Sequence, residues 1–348
     1  MKRADAGFWR GRRVLVTGHT GFKGGWLALR LAALGAEATG LALDPPTNPS
    51  LFALAGVGEA LADRRGDIRD AGAMTAAIAA ARPQVVFHLA AQPLVRAGLA
   101  EPIGTLETNV MGTAVVLEAL RGAGAAAIVV VTSDKVYRND ERGHAFAEDD
   151  PLGGADPYSG SKSAAEMVAR LYRESFGLPV ATARAGNVVG GGDFAADRLL
   201  PDVWRARAAG APLVLRRPAA TRPWGHVLDV IEGYLLFAEA LAAGDAPAAL
   251  NFGPAADAPA LSVLETAEIF AEALGGRLDW RGEPAPFAEK SELAIDSAAA
   301  RAALGWSERL PGAAGVRAAA RWYARLAAGD DMATLSRAAA HAGLEAAA

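Results

Sequence analysis

Residues 13–24 read RVLVTGHTGFKG, a short apolar run followed by a glycine-rich turn. The run from Arg13 to Thr17 is rich in β-branched residues and soon ends in glycine, which predicts a buried strand. Apolar residues then recur with helical spacing from Phe22 until Gly35, a residue typical of helix carboxyl ends. The glycine-rich turn therefore joins a strand to the amino terminus of a helix.

The glycines of this turn, Gly18, Gly21 and Gly24, have the spacing GxxGxxG. They let the backbone approach a pyrophosphate at the positive end of a helix, although an ordinary tight turn gives the same pattern. Asp44 follows Gly24 by 20 residues, at the end of the second predicted strand, where a carboxylate can bind adenosine ribose hydroxyls. The sequence thus predicts a bound dinucleotide.

Charges near Asp44 bear on which dinucleotide binds. The Asp44 carboxylate repels a 2′-phosphate, which favours NAD. Lys23, Arg64 and Arg65 leave NADP open, and Asp44 can instead begin a turn at Pro45. We expect NAD.

The pattern along the chain predicts an α/β fold. Apolar runs indicate further strands at residues 38–43, 84–89, 127–131 and 179–183, with helices at residues 71–81, 102–120 and 159–176. This alternation is typical of a Rossmann-type, doubly wound parallel sheet. The predicted NAD-binding domain comprises residues 1–186 and about 226–253, and a smaller, partly interleaved substrate domain comprises about 187–225 and 254–326. The alanine-rich residues 327–348 are expected to form a peripheral tail.

Composition excludes several kinds of function. The 348 residues carry 35 Lys and Arg against 39 Asp and Glu, a net charge of −4 without a long block of one sign, so nucleic acid is not an expected partner. The chain has no cysteine, and its 5 histidines lack the spacing of metal ligands, so no metal site is expected. No apolar run approaches the ~20 residues of a membrane span. A soluble cytoplasmic protein without a membrane partner is the expectation.

Polar residues later in the chain point to redox chemistry. Tyr158 and Lys162 lie at i and i+4 of a predicted helix, where an ammonium can lower the pKa of a phenol so that it removes a hydroxyl proton as hydride leaves carbon. Ser133 follows the fifth strand and supplies a hydroxyl for the same substrate oxygen. Asn109 precedes that strand and can order water or backbone near the lysine. A surface tyrosine over a solvated lysine is the alternative reading of Tyr158 and Lys162 alone.

Further cofactor contacts are expected at other strand ends. Asp67 and Ile68 follow the third strand and can meet the adenine, while Ala90, Ala91 and Gln92 end the fourth, where the alanines can equally serve packing. The predicted cofactor-binding residues are Gly18, Thr20, Gly21, Phe22, Lys23, Gly24, Asp44, Asp67, Ile68, Ala90, Ala91, Gln92, Asn109, Tyr158 and Lys162.

These motifs, in this order, resemble the extended short-chain dehydrogenase/reductase family over about residues 10–325. The resemblance implies NAD and Tyr–Lys–Ser chemistry, which epimerases, decarboxylases, reductases and dehydratases share. Ser133 is followed by Asp134 and Lys135. In the nucleotide-sugar 4,6-dehydratases of this family the corresponding pair supplies an acid and a base, usually Asp then Glu, whereas here the second residue is lysine. A salt bridge between Asp134 and Lys135 is the structural alternative.

A narrower resemblance concerns the substrate. The triplet Ser133-Asp134-Lys135, the opening Phe8-Trp9-Arg10-Gly11 and the stretch Asp44-Pro45-Pro46-Thr47 resemble the 4,6-dehydratases that act on CDP-glucose. The resemblance implies a lyase that oxidises C4, eliminates water across C5 and C6 and reduces C6, while NAD stays tightly bound and is recycled. It assigns the C4 hydroxyl proton to Tyr158, the acid to Asp134 and the C5 base to Lys135.

The same resemblance implies the substrate contacts and the partners. The expected substrate-binding residues are Ser133, Asn187, Arg198 and Arg222. Arg216 and Arg217 are expected to be solvated, and His226 is expected to be a packed residue. Alanine and leucine on several faces of helices 102–120 and 159–176 indicate a homodimer through a four-helix seam, although burial against the sheet explains part of the pattern.

Other functions remain open at this point. They include an epimerase acting at C4, a 4,6-dehydratase of dTDP- or GDP-glucose, and a dinucleotide-sensing regulatory protein without activity. The Asp134–Lys135 pair weighs against the epimerase, and intact Ser133, Tyr158 and Lys162 weigh against the regulatory protein. For the preferred dehydratase we expect a role in deoxysugar synthesis for cell-surface polysaccharide such as lipopolysaccharide O-antigen.

Overall fold

The computed structural model describes residues 2–141, 143–255, 258–284 and 292–342. The strands are β1 (Arg13–Thr17), β2 (Glu37–Ala42), β3 (Ala62–Arg65), β4 (Val85–His88), β5 (Ala127–Val131), β6 (Val180–Ala185), β7 (Asn187–Val189), β8 (Leu213–Leu215), β9 (Thr221–Arg222), β10 (Trp224–His226), β11 (Ala249–Phe252), β12 (Leu261–Ser262) and β13 (Trp280–Gly282).

The helices are α1 (Ala6–Trp9), α2 (Phe22–Ala33), α3 (Leu51–Leu54), α4 (Ala71–Ala81), α5 (Val95–Ala100), α6 (Pro102–Leu106), α7 (Gly112–Leu120), α8 (Pro157–Phe176), α9 (Leu199–Ala208), α10 (Val227–Ala243), α11 (Val263–Ala273), α12 (Ala298–Leu304), α13 (Ala313–Ala327) and α14 (Met332–Ala342). Short 3₁₀ turns occur at Val57–Glu59 and Asp134–Val136, and a π turn at Glu107–Met111 joins α6 to α7.

The main sheet has seven strands in the order β11-β6-β5-β4-β1-β2-β3, and every neighbouring pair is parallel. Apolar residues cover both of its faces: one layer packs α2 and α10 on the sheet, and the other packs α4, α7 and α8. The predicted doubly wound α/β fold is confirmed. β11 lies within the stretch of about residues 226–253 that the sequence assigns to the NAD-binding domain, and it pairs with β6 at the edge of this sheet.

The segments between β6 and α14 add short strand pairs beside this sheet. β7 pairs with β10 and β8 with β13 in parallel, while β9 pairs with β12 in antiparallel orientation. These segments share one apolar core with the sheet, and Trp26 of α2 donates a 2.8 Å hydrogen bond to the Gly191 carbonyl oxygen. The division into two domains stays a prediction.

The end of the chain differs from the peripheral tail expected from its alanines. Arg30 of α2 donates hydrogen bonds to the carbonyl oxygens of Ala340 (3.1 Å) and His341 (3.2 Å), and Ala339 and Ala340 are fully buried. The small side chains let α14 pack closely on α2, so this helix is part of the core. Residues 343–348 lie outside the described residues. No helix in the described ranges is long and apolar enough to cross a membrane.

Candidate active site

The carboxyl ends of β1, β4, β5 and β6 lie at one edge of the parallel sheet, and a cavity of about 560 Å³ opens beside them. The predicted site residues that line it are Lys23, Ala91, Ser133, Asp134, Lys135, Tyr158, Lys162, Asn187, Arg198 and Arg222. The structure therefore brings the predicted catalytic and substrate-binding residues together. Eleven of the fifteen predicted cofactor residues lie outside this wall, at the glycine-rich turn, after β2 and β3, after β4 and in the π turn.

The glycine-rich turn requires its glycines. Gly18 has a φ of +82°, and a Cβ there would lie 2.7 Å from the backbone nitrogen of Ala90. A Cβ on Gly24 would lie 2.1 Å from the Gly18 carbonyl oxygen. Gly21 caps α2 without a side-chain bond, and the first helical turn holds no acidic residue. The N–H groups of that turn are thus left for an external anion, which fits a dinucleotide pyrophosphate.

The residues after β2 and β3 suit an adenosine without a 2′-phosphate. The Asp44 side chain is 89% exposed, and its Oδ1 accepts a 3.1 Å contact from Arg65 Nε. Arg65 Nη1 also lies 3.0 Å from Asp63 Oδ1, which His19 contacts at 2.8 Å. Because two carboxylates engage Arg65, this cation is already neutralised, and Asp44 remains accessible to ribose hydroxyls.

Asp67 and Ile68 are placed differently from each other. Arg69 Nη2 donates to Asp67 Oδ2 at 2.6 Å, and this bond lowers the pKa of the Asp67 carboxyl. The Ile68 side chain is buried in the apolar layer beside α7, close to Gly112. A contact of Ile68 with an adenine would therefore use its backbone.

Asn109 links the end of β4 to α8. It lies in the π turn, and its Nδ2 donates to Ser161 Oγ at 2.8 Å and to the Gln92 carbonyl oxygen at 3.0 Å. Its Oδ1 accepts the Gln92 N–H at 2.8 Å. The π turn thus directs the buried Asn109 amide toward both the segment after β4 and α8. Such π bulges are frequent at functional sites.

Ser133 organises the turn after β5. Its Oγ accepts the Lys135 N–H at 3.2 Å and donates to Asp134 Oδ1 at 2.8 Å. Asp134 is 1% exposed, and its Oδ2 has no hydrogen-bond partner within the described part of the chain. The expected alternative, a salt bridge between Asp134 and Lys135, is therefore not formed, and both side chains line the cavity.

Tyr158 and Lys162 lie in the first turns of α8 and are both buried. Lys162 Nζ donates to the Val131 carbonyl oxygen at 3.0 Å, and burial lowers the pKa of Lys162 to about 8. Burial also raises the pKa of Tyr158, while the neighbouring Ser133 hydroxyl opposes that rise. The predicted lowering of the Tyr158 pKa by Lys162 is not found here. The Lys162 ammonium bonds the β5 backbone, and burial has the largest effect on the pKa of the Tyr158 phenol.

Lys23 occupies an unusual place for a cation. It follows Phe22 at the second position of α2, near the positive end of the helix, and lines the cavity without a hydrogen bond or salt bridge to the described residues. Burial lowers the pKa of Lys23 to about 7, with Arg198 and Lys162 acting in the same direction and Asp134 opposing. A cation here suits an anionic ligand.

The other predicted substrate contacts, Asn187, Arg198 and Arg222, also line the cavity. Arg198 Nε is 3.6 Å from Asp193 Oδ2, and Arg222 Nη1 donates to the Thr221 carbonyl oxygen at 2.8 Å. Asn187 Oδ1 is buried without a hydrogen-bond partner in the described ranges. These side chains can present guanidinium and amide groups to a diphosphate.

The expected solvation of Arg216 is wrong, while Arg217 is exposed as expected. The Arg216 side chain is 28% exposed, lines the cavity and lies 3.7 Å from Asp197, which also accepts a 2.6 Å bond from Arg96. Arg216 lies against the cavity because it pairs with Asp197. His226 is packed as expected, and its Nδ1 accepts the Leu228 N–H at the start of α10.

Sequence analysis missed a buried polar network behind the catalytic turn. Glu166 accepts bonds from Thr132 (2.5 Å), Thr182 (2.6 Å) and Arg184 (3.0 and 2.8 Å). Arg184 also donates to the Tyr137 hydroxyl at 2.8 Å. The sequence did carry a signal for this network. Glu166 and Arg184 are charged residues inside otherwise apolar segments, and Glu166 follows Lys162 by one helical turn.

Comparison with known proteins identifies the family. The model of the NAD dependent epimerase/dehydratase family matches residues 14–253. The chain belongs to this family. Membership confirms NAD as the cofactor, and the glycine-rich turn, the accessible Asp44 and the engaged Arg65 fit it.

Several members of this family are similar to the chain over most of its length. The CDP-glucose 4,6-dehydratase of Salmonella typhimurium is 41% identical over 347 residues, covering 96% of this chain and 96% of that protein. A dTDP-glucose 4,6-dehydratase of Streptomyces griseus is 32% identical, covering 89% of this chain and 93% of that protein. The structure of DesIV, a dTDP-glucose 4,6-dehydratase from Streptomyces venezuelae with NAD and TYD bound, has a TM-score of 0.81 at 28% identity, covering 91% of this chain and 98% of that chain.

Proposed function

We propose that this chain is a nucleotide-sugar 4,6-dehydratase that converts CDP-glucose to CDP-4-keto-6-deoxyglucose and water. The observation that carries the proposal is that Asp134 and Lys135 line the same cavity as Ser133, Tyr158 and Lys162. Epimerisation at C4 needs proton and hydride transfer at that carbon alone, so an additional acid and amine would have no task there. The 41% identity to a CDP-glucose 4,6-dehydratase supports the choice of nucleotide.

The side chains supply the proton transfers of this reaction. Tyr158 takes the C4 hydroxyl proton, and Ser133 bonds the same substrate oxygen. Lys135 removes the C5 proton, which a C4 ketone makes acidic, and returns a proton to C5 at the end. Asp134 donates a proton to the C6 hydroxyl, which leaves as water. NAD, when bound, supplies the hydride acceptor for C4 and the donor for C6.

The acid and base have distinct access to the substrate. Asp134 Oδ2 is buried and has no hydrogen-bond partner among the described residues, so that oxygen can meet the C6 hydroxyl. Lys135 is half-buried on the following residue of the same 3₁₀ turn, with its side chain in the cavity wall. Asn187, Arg198 and Arg222, which line the same cavity, bind the diphosphate.

The experiment that tests this function uses the purified protein with CDP-, dTDP-, GDP- and UDP-glucose. We expect a 4-keto-6-deoxy product, detected by its absorbance in alkali, from CDP-glucose. Asp134→Asn should slow dehydration about 10²-fold or more while C4 oxidation remains possible. Asp149→Asn, an exposed carboxylate outside the cavity, is the matched control. A C4 epimer as product, or unchanged dehydration by Asp134→Asn, would refute the proposal.

The proposal includes a cytoplasmic homodimer that contributes to deoxysugar synthesis for surface polysaccharide such as O-antigen. Large apolar side chains stay exposed on α5, α6, α8 and the π turn between α6 and α7. They are Leu99, Ile103, Leu106, Met111, Met167, Leu171 and Phe176. A face of this composition on two neighbouring helical segments supports association with a second copy through a four-helix seam.

A further inference from the structure

His88 is the last residue of β4, and its ring lies between two buried threonines. Thr17 is the register partner of His88 in the pairing of β1 with β4, and Thr17 Oγ1 is 2.7 Å from His88 Nδ1. Thr113 of α7 lies at the other ring nitrogen, with its Oγ1 3.1 Å from His88 Nε2. All three residues are at most 2% exposed, so their polar atoms must find partners inside the protein.

The bonds of Thr113 decide which ring nitrogen of His88 carries the hydrogen. A threonine hydroxyl has one hydrogen, and Thr113 gives it to the Asn109 carbonyl oxygen at 2.7 Å. Thr113 Oγ1 therefore accepts from His88, which places a hydrogen on His88 Nε2. Burial lowers the pKa of His88 to about 3, so the ring is neutral and its Nδ1 is an acceptor. The Thr17 hydroxyl then donates to Nδ1.

The bond to Thr17 connects His88 to the glycine-rich turn. Thr17 ends β1 and directly precedes Gly18. Thr17 Oγ1 also accepts the Ala90 N–H at 3.3 Å, and the same Ala90 nitrogen is the atom that a Cβ on Gly18 would meet at 2.7 Å. The Thr17 hydroxyl thus joins the start of this turn to the segment after β4.

The bond to Thr113 connects His88 to the first turns of α8. Thr113 binds the backbone of Asn109, whose side-chain Nδ2 donates to Ser161 Oγ at 2.8 Å. Ser161 in turn donates to the Tyr158 carbonyl oxygen at 2.7 Å. One continuous set of buried bonds therefore runs from the glycine-rich turn, through the His88 ring, to the backbone of Tyr158.

We propose that His88, neutral and with its hydrogen on Nε2, is a positioning residue that holds Tyr158 in a fixed place relative to the glycine-rich turn. This inference rests on the proposed function, in which that turn binds NAD and Tyr158 takes the C4 hydroxyl proton. Hydride and proton leave the same carbinol group, so their two acceptors must be placed together, and a misplacement of about 1 Å can cost about 10²-fold in rate. A buried network in which each hydrogen has its own acceptor favours a single arrangement.

Nitrogen NMR of the whole protein, labelled with ¹⁵N-histidine and free of nucleotide, tests the ring directly. We expect the two His88 signals to be those of a neutral ring protonated at Nε2, without change between about pH 5 and pH 8. Their loss in His88→Gln assigns them. A hydrogen on Nδ1, or titration of His88 in this pH range, would overturn the proposal.

Kinetics of two matched variants separate positioning from stability. Thr113→Val and Thr266→Val each remove a bond from a buried helical threonine to the carbonyl oxygen four residues earlier, and Thr113 is the one that contacts His88. We expect Thr113→Val to lower kcat for CDP-glucose about tenfold or more and to change KM less than about twofold. Thr266→Val should keep the wild-type kcat, and Thr113→Ser, which retains the hydroxyl, should restore it.

A deuterium label at C4 of CDP-glucose shows which step is slowed. Because misplacement of Tyr158 slows C4 oxidation, the isotope effect on kcat should be larger in Thr113→Val than in Thr266→Val or the wild type. If Thr113→Val does not fold, His88→Gln replaces it with the same expectation, since glutamine keeps an N–H donor near the position of Nε2 and loses the acceptor for Thr17.

The positioning role and the proposed function fail in different ways. If the wild type dehydrates CDP-glucose, and the variant at position 113 or 88 matches Thr266→Val in kcat and isotope effect, the positioning role alone is wrong. If the wild type dehydrates none of the four nucleotide sugars, the proposed function is wrong and the positioning role falls with it.

Discussion

Arg184 and Glu166 form a two-contact salt bridge directly behind the catalytic turn: Nε lies 3.0 Å from Oε1 and Nη2 lies 2.8 Å from Oε2. Both residues are no more than 4% exposed. The same carboxylate accepts the hydroxyl hydrogen of Thr132, the residue before Ser133. The ion pair therefore holds the start of the turn from the core side of the sheet.

Removing one member of this pair should destabilise the fold strongly. Loss of a buried partner leaves an uncompensated charge and costs about 3–5 kcal/mol. We expect Arg184→Leu to lower the free energy of unfolding by about that amount in urea titrations. Arg170→Leu, which breaks the exposed pair with Glu174 on the same helix, should cost less than about 1 kcal/mol. Equal losses in the two variants would contradict the role given to the buried pair.

The glycine-rich turn offers a test of cofactor binding. A Cβ on Gly24 would lie 2.1 Å from the Gly18 carbonyl oxygen, so Gly24→Ala must displace the backbone that faces the pyrophosphate. We expect NAD affinity, measured by fluorescence titration, to fall at least tenfold. Gly104→Ala in α6 is the control, because nothing lies within 4 Å of a Cβ there. Retained NAD affinity in Gly24→Ala would show that the turn does not bind the pyrophosphate.

Lys23 should make the stability of the apoprotein depend on pH. Its folded pKa is about 7 against an ordinary value of 10.5, so between these pH values the unfolded chain holds more protons. Stability of the wild type must then rise with pH relative to a variant without this amine. We expect Lys23→Met to stabilise the apoprotein most at and below about pH 7, with a gain that shrinks toward about pH 10.

Urea unfolding at several pH values measures this difference. Lys2→Met, at an exposed position, is the control and should follow the wild type at every pH. A stability difference between Lys23→Met and wild type that does not change between neutral and alkaline pH would contradict the burial of the amine.

Local patterns predicted the elements well, and tertiary contacts account for what they missed. The bounds of β5 and α4 were predicted residue for residue, because unbroken apolar and alanine-rich runs determine them. The π turn was not predicted, since it keeps helical spacing and depends on the bonds of Asn109 to other segments.

In the candidate site, too, residues at predictable positions were found from the sequence, whereas contacts between distant residues were not. Asp134, Tyr158 and Lys162 were predicted because they sit at strand ends and helix starts, which the fold class brings together. The partners of Arg184 and Arg216 could not be predicted, since a single charged residue in the sequence carries no information about which distant carboxylate it meets.

The corrected position of Arg216 predicts a role in substrate binding. Its side chain lines the cavity, whereas Arg217 beside it is exposed. We expect Arg216→Ala to raise the KM for CDP-glucose about tenfold with a smaller effect on kcat, because a charged hydrogen bond contributes about 1.5–3 kcal/mol. Arg217→Ala is the matched control. Steady-state kinetics in which Arg216→Ala and Arg217→Ala behave alike would show that Arg216 is solvated and does not bind the substrate.

The exposed apolar face of α6 and α8 predicts how two copies associate. Ile103 is 65% exposed and Met167 is 52% exposed, and a charge at either position would be buried without a partner in a dimer seam. We expect Ile103→Asp and Met167→Glu to shift the protein from dimer to monomer in sedimentation velocity, with the fold retained by circular dichroism. Val214→Asp places a charge at another exposed apolar residue, since Val214 of β8 is 41% exposed and lies outside α5 to α8, and should remain dimeric. If the wild type sediments as a monomer, or if the charged variants at positions 103 and 167 stay dimeric, this face is not the seam.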